Sequence, residues 1–253
     1  KTTSGSGVTW AAADKGTKMV YSDGTNVVDT AFTELSSDFS PQLSADLDTN
    51  AQNIIIDNTK AILDENSNEQ IKFVTAGSAV NEFSIGNAAT GAAPAISVTG
   101  GDANIDLNIT PKGYGRATFN GQGKIQSVAE KVTTAATAAT GTIAYDVLTQ
   151  AVLNFTSDAA ANWTLNIRGD GSTSLDSIMD TGESITIAHI VKQGSTPYYN
   201  SAVQIDGSSV TPEYQGGSAP TSGNASSLDV YSYTVIKTGS ATFTVLASQT
   251  QFA

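Results

Sequence analysis

The chain has 253 residues, 39% of them hydrophobic, with 23 glycines, a content too apolar for a disordered chain and long enough for one large or two modest domains. Only 14% of residues are charged, against roughly 25% in ordinary soluble domains, and Thr, Ser, Asn, Ala and Gly take their place. A net charge of −12, with no stripe of Lys or Arg, sets the chain against nucleic-acid binding, and the absence of cysteine removes disulfides, thiolate metal sites and cysteine nucleophiles.

No apolar run reaches the roughly 18 residues that would suggest membrane insertion. The chain begins at Lys1, without Met and inside a strand-like Thr/Ser/Gly run, and so reads as the C-terminal part of a longer protein. Residues 1–28 read as a partial β-module: a strand ending near Trp10, a second over Thr17–Tyr21, the turn Ser22-Asp23-Gly24-Thr25-Asn26, and Val27-Val28. Asp-Gly is the strongest hairpin signal in this region. Residues 29–42, Ser-rich and closed by Pro41, read as a linker.

Residues 43–123 have the cadence of a β-rich shaft. Ile54–Ile56, Ala61–Leu63, Gln70–Val74, Glu82–Ile85 and Ala95–Val98 are short apolar runs separated by Asn, Asp or Gly turns. The clearest strand is Asn104–Thr110, with unbroken polar/apolar alternation, followed by the turn Pro111-Lys112-Gly113 and a second alternating run, Arg116–Phe119. Its apolar side is thin: Ile105, Leu107, Ile109, Ala117 and Phe119. A two-stranded ribbon with so small a face cannot offset its ordering entropy, so other copies of the chain are expected to cover it, with Ile105, Leu107, Ile109 and Phe119 as the seam between copies.

Gly121-Gln122-Gly123 marks the expected boundary with a C-terminal domain over residues 124–253. Its runs at Gly141–Val147, Ala151–Thr156, Asn162–Arg168, Glu183–Val191, Ala202–Ile205, Leu228–Lys237 and Ala241–Ala247 predict an antiparallel, jelly-roll-like β-sandwich. Trp163, Leu165 and Ile167 share one side of a strand, as do Ile185, Ile187 and His189. Val230, Val235, Phe243 and Val245 are expected to supply the apolar side of a closing hairpin. The Gly/Ser-rich loop 216–227 is expected at the surface and mobile.

Several phrases resemble the fibre proteins of marine tailed bacteriophages, especially those of cyanobacteria: Ser40–Asn50, Leu63–Gln70, Asn81–Gly91 and Asn108–Gly113, together with Gly7-Val8-Thr9 and Tyr21–Val28 near the start, and Asn162–Arg168 and Val203–Gly207 in the C-terminal part. The resemblance implies an all-β homotrimer in which a fibre shaft carries a distal tip. It implies a virion location and a non-enzymatic role in attachment to a host cell-surface glycan or protein, with other virion proteins bound through what precedes Lys1. It carries over no catalytic residue and no cofactor. Two competing roles stay open: a purely structural collar or capsid-decorating fibre, and a spike depolymerase.

His189, the only histidine, excludes a two-histidine metal site within one chain. Either it is an ordinary core or interface residue, or three copies meet on a three-fold axis. Asp64-Glu65-Asn66-Ser67-Asn68 begins like a calcium loop, but Glu69 stands at the turn glycine and Thr75 at the bidentate Glu, so it reads as a polar turn. Asp176, Asp180 and Glu183 form either the carboxylate set of a glycosidase or solvated acids around a short helical turn. Tyr198, Tyr199 and Tyr214 either plug the ends of the domain or contact a receptor.

Overall fold

The structure is a computed structural model and describes residues 20–29 and 51–253. The predicted strand near Trp10, most of the predicted linker and the phrase Ser40–Asn50 lie outside the described residues. The regular structure among the described residues is almost entirely β-strand, and the chain divides into two compact units, residues 1–107 and 108–253. Gly121-Gln122-Gly123 therefore falls inside the second unit.

The first unit contains three hairpins, none hydrogen-bonded to another among the described residues. β1 (Val20–Ser22) and β2 (Val27–Asp29) pair antiparallel around Asp23-Gly24. The Asp23 carboxylate closes this turn by accepting from the backbone N–H of Thr25 and Asn26 at 2.8 and 2.6 Å. β3 (Ala61–Leu63) and β4 (Glu69–Lys72) flank the loop that begins with Asp64. β5 (Asn81–Gly86) and β6 (Ala95–Gly100) place Phe83 opposite Val98 and Ile85 opposite Ile96, a small apolar face that is largely exposed.

Three expected strands do not form. Ile54–Ile56 has no ladder partner, and Ile55 is 89% exposed. Asn104–Thr110 and Arg116–Phe119 likewise join no sheet, so the ribbon expected across Pro111-Lys112-Gly113 is absent. Alternation supplies a face, but a strand also needs a neighbour for its N–H and C=O groups. No described segment of the same chain pairs with these runs.

The second unit builds two sheets from strands β7 (Val132–Ala138), β8 (Gly141–Asp146), β9 (Val152–Ser157), β10 (Trp163–Arg168), β11 (Ser184–Lys192), β12 (Asn200–Ile205), β13 (Ser208–Val210), β14 (Glu213–Tyr214), β15 (Leu228–Gly239) and β16 (Thr242–Phe252). One sheet has the order β13-β12-β10-β8 and the other β14-β16-β15-β11-β9-β7. The expected antiparallel arrangement is corrected here. From β7 to β12 the chain alternates between the sheets, so every second strand lands beside its predecessor and runs parallel to it: β7, β9 and β11 in one sheet, β8, β10 and β12 in the other. The result is a two-sided coil of three turns, closed by the long antiparallel hairpin β15–β16 against β11. Periodicity reports which side of a strand is buried and is silent about the direction of its neighbour.

Register shows where the coil is interrupted. Val132 pairs with Val152 and Val152 with Ala188, so the first turn takes 20 residues (152 less 132) and the next 36 (188 less 152). The additional length is the arch of residues 169–183 between β10 and β11, which holds a single helical turn, α1 (Leu175–Ile178).

Both sheets bury alternate residues in one core. Ile143, Tyr145, Trp163, Leu165, Ile167, Val203 and Ile205 come from the four-stranded sheet, and Leu153, Phe155, Ile187, Val191, Tyr231, Tyr233, Val235, Val245 and Ala247 from the other. The predicted inward set of β10 is as expected. In β15 the buried side is Tyr231, Tyr233 and Val235, whereas Val230 has the opposite parity and lies outside the core cluster. Strand β7 escaped detection because Val132-Thr133-Thr134-Ala135-Ala136-Thr137-Ala138 has almost no hydrophobic contrast; it sits at the sheet edge, where little burial is required.

Candidate functional site

The arch 169–183 is held from three directions. At its start Ser174 caps α1, its Oγ accepting from the Ser177 N–H at 3.1 Å. Asp206, from the β12–β13 turn, accepts the Leu175 and Asp176 N–H groups at 2.7 and 3.0 Å, so the first turn of α1 leaves no amide free of a partner. At its end the Lys237 ammonium donates to the carbonyls of Asp176 and Met179 and pairs with Asp176 Oδ1.

Against this arch lies the segment Pro111–Arg116, from far earlier in the sequence. Gly113, at φ +61°, supplies the left-handed residue that the turn requires. Two residues apart, Tyr114 and Arg116 both reach the arch. The Tyr114 hydroxyl donates to Asp170 Oδ2 at 3.3 Å, while Arg116 donates through Nη1 to both oxygens of Glu183 at 2.6 Å and through Nη2 to Asp180 at 2.9 Å. Between them is an open groove of about 740 Å³ whose walls include Tyr114, Arg116, Ser172, Ser174, Ser177 and Asp180. A smaller hollow of about 280 Å³ shares Ser172–Ser174 and extends it towards Arg168 and Asp206. Arg168 is itself fixed by an ion pair of 2.6 Å to Asp146, its partner in the β8–β10 register.

The partners of the acidic trio are defined. Asp180 and Glu183 do meet, but on one guanidinium, and Asp176 turns instead to Lys237 and to the Ala241 N–H. Hydrogen bonding from Arg116 lowers the Glu183 pKa, and hydrogen bonding from Lys237 lowers that of Asp176. A glycosidase general acid needs its carboxyl pKa raised, the opposite of what these partners do.

His189 is fully buried in a box of aromatic rings. It meets Phe155 edge-on at 5.4 Å between centroids and Trp163 at 5.8 Å, with Tyr231 at 6.2 Å. Neither of its ring nitrogens, nor Trp163 Nε1, has a hydrogen-bond partner among the described residues. Burial drives its pKa down to about 3, so the ring is neutral at physiological pH and belongs to the core of one chain. Asp64 also turns inward on its own loop: its Oδ1 accepts from the backbone N–H of Asn66 and Asn68, and its Oδ2 from the Asn68 side chain. That is the geometry of a polar turn.

Compared with known families, curated proteins and solved structures, the chain finds no match.

The three tyrosines lie in two places. Tyr198 and Tyr199 precede β12 and are half-buried; the Tyr198 backbone is clamped by Gln193, which accepts its N–H at 2.9 Å and donates to its carbonyl at 2.8 Å. Tyr214 sits on the short edge strand β14 beside Ala247, its ring packed against the core. The loop 216–227 is at the surface as expected, but it is tied down: Asn224 donates to the buried Asp229, and Ser222 accepts from Gln249 and Gln251. Of the expected seam, Ile105 is half-buried, Leu107 and Ile109 are exposed, and Phe119 is 76% exposed. Sequence reading passed over Tyr114 and Arg116. The available signal was the alternation of an aromatic and a cation directly after Pro-Lys-Gly, where a turn re-aims both side chains.

Proposed function

We propose that the chain is a non-enzymatic fibre protein of a tailed phage virion, a homotrimer whose C-terminal unit is the tip that attaches to the host cell surface. The observation that supports this reading is the contrast between the two halves of the chain. Residues 132–253 bury a core of their own, whereas between Ile54 and Val128 almost every large apolar side chain is exposed, including Ile54, Ile55, Phe83, Ile85, Ile109, Phe119 and Ile125. Isolated hairpins of this kind are not stable alone in water. Three copies around an axis would cover what one cannot, and the low charge of the segment lets identical chains approach.

The test is the mass of the purified chain by light scattering, together with binding of the labelled chain to bacterial cells. Three chains per particle and saturable cell binding are expected; a stable monomer removes the fibre, and a trimer that attaches to no cell favours a purely structural virion role.

A further inference from the structure

We propose that the groove between Pro111–Arg116 and the arch 169–183 is a binding site for a neutral, hydroxyl-rich glycan, with Tyr114 as the stacking platform and the arch as the polar wall. This rests on the attachment reading and moves its contact surface from the three tyrosines named from sequence to a different part of the tip.

Four observations carry it. Tyr114 is 55% exposed while its hydroxyl reaches Asp170 Oδ2 at 3.3 Å, so the ring is oriented towards the arch and offers exposed surface to the CH groups of a sugar ring. The polar groups are already organised: Ser174 and Ser177 by the cap of α1, Asp170 by Ser172, and Asp180 and Glu183 by Arg116, so binding orders little that is loose. Carboxylates and hydroxyls held this way keep spare lone pairs, which suits the many donors of a polyol.

Charge then selects among ligands. Around the groove and its extension stand four cations, Lys112, Arg116, Arg168 and Lys237, and six carboxylates, Asp146, Asp170, Asp176, Asp180, Glu183 and Asp206, a balance of −2 on a chain of −12. An acidic polysaccharide or a phosphorylated headgroup would meet this acidic excess with both arginines already engaged by carboxylates. Finally, the groove is open and continues into a second hollow through Ser172–Ser174, so it admits a chain of sugar units rather than one small molecule.

The experiment is native electrophoresis of the full chain through gels containing a neutral glucan, mannan or galactan, with dextran sulfate as the anionic counterpart. At least one neutral polysaccharide is expected to retard the wild type while dextran sulfate does not. Tyr114→Ala and Ser172→Trp, which fills the groove from an exposed position, are each expected to weaken that retardation at least tenfold with unchanged particle mass and circular dichroism. Retardation by no neutral polysaccharide, by dextran sulfate only, or to the same degree in both variants overturns the proposal. Retention lost in Tyr198→Ala, Tyr199→Ala or Tyr214→Ala but kept in Tyr114→Ala puts the contact elsewhere and leaves attachment standing. A chain retained through the groove that attaches to no bacterial cell removes attachment and leaves the groove standing.

Discussion

Lys237 Nζ lies 2.7 Å from Asp176 Oδ1 and also donates to the carbonyls of Asp176 and Met179, so one nearly buried ammonium ties the closing hairpin of the C-terminal unit to the arch that walls the groove. Replacing Lys237 by Met keeps the stem and removes all three bonds, leaving two carbonyls and a carboxylate without their donor. The cost is expected to be about 2–4 kcal/mol, read as a lower urea midpoint with an unchanged slope. Asp176→Asn, which keeps the two carbonyl bonds, should cost less than half as much.

Gly223 is buried where no side chain fits. A Cβ there would stand 2.3 Å from the Tyr198 carbonyl oxygen and 2.6 Å from Asp229 Oδ2. Both belong to the network in which Gln193 donates to Asp229 and to the Tyr198 carbonyl. Gly223→Ala is expected to destabilise the C-terminal unit by about 2–4 kcal/mol through backbone displacement, whereas Gly121→Ala, with open space around it, should change the melting temperature little.

The aromatic box sets an acid limit on stability. The folded pKa of His189, about 3, lies below its ordinary value of 6.5, so its contribution is present in full above pH 6.5 and is lost as pH falls towards 3. Between pH 7.5 and 5 that loss amounts to about 2 kcal/mol, from 1.5 pH units at 1.36 kcal/mol each. Asp229 works the other way: burial raises its pKa, so the folded state favours its protonated form and gains on acidification. The informative comparison is therefore with His189→Phe, in which the loss between pH 7.5 and 5 should shrink by about 2 kcal/mol in urea titrations. Equal acid sensitivity in the two proteins would contradict a neutral buried imidazole.

Much of the C-terminal unit could be read from the sequence because its strands are half-buried and alternate: Trp163, Leu165 and Ile167 announce β10, and Ile185, Ile187 and His189 announce β11. What alternation could not convey is partnership. The parallel coil depends on which strand each return brings alongside, and β7, built of Thr and Ala, presents no contrast to read. The site was hidden for a related reason. Arg116 meets Glu183 across 67 residues, and Tyr114 meets Asp170 across 56; no local pattern encodes such a meeting. The same gap explains Asn104–Thr110, where a clean period predicted a strand but no described part of the same chain supplies a ladder.

That unladdered run yields the last prediction. Leu107 is 43% exposed in one chain and lies between Ile105 and Ile109 in the alternation. If three copies bury this side together, Leu107→Lys places an ammonium in an apolar seam without a counter-charge. The penalty is several kcal/mol for each of the three copies, enough to break a seam built from few side chains. Light scattering should then register one chain per particle instead of three. The near-ultraviolet dichroism of Trp163 and its neighbours should persist, because their core draws on no residue before Ala135. A Leu107→Lys protein that keeps the wild-type particle mass would show that the seam lies elsewhere in the chain.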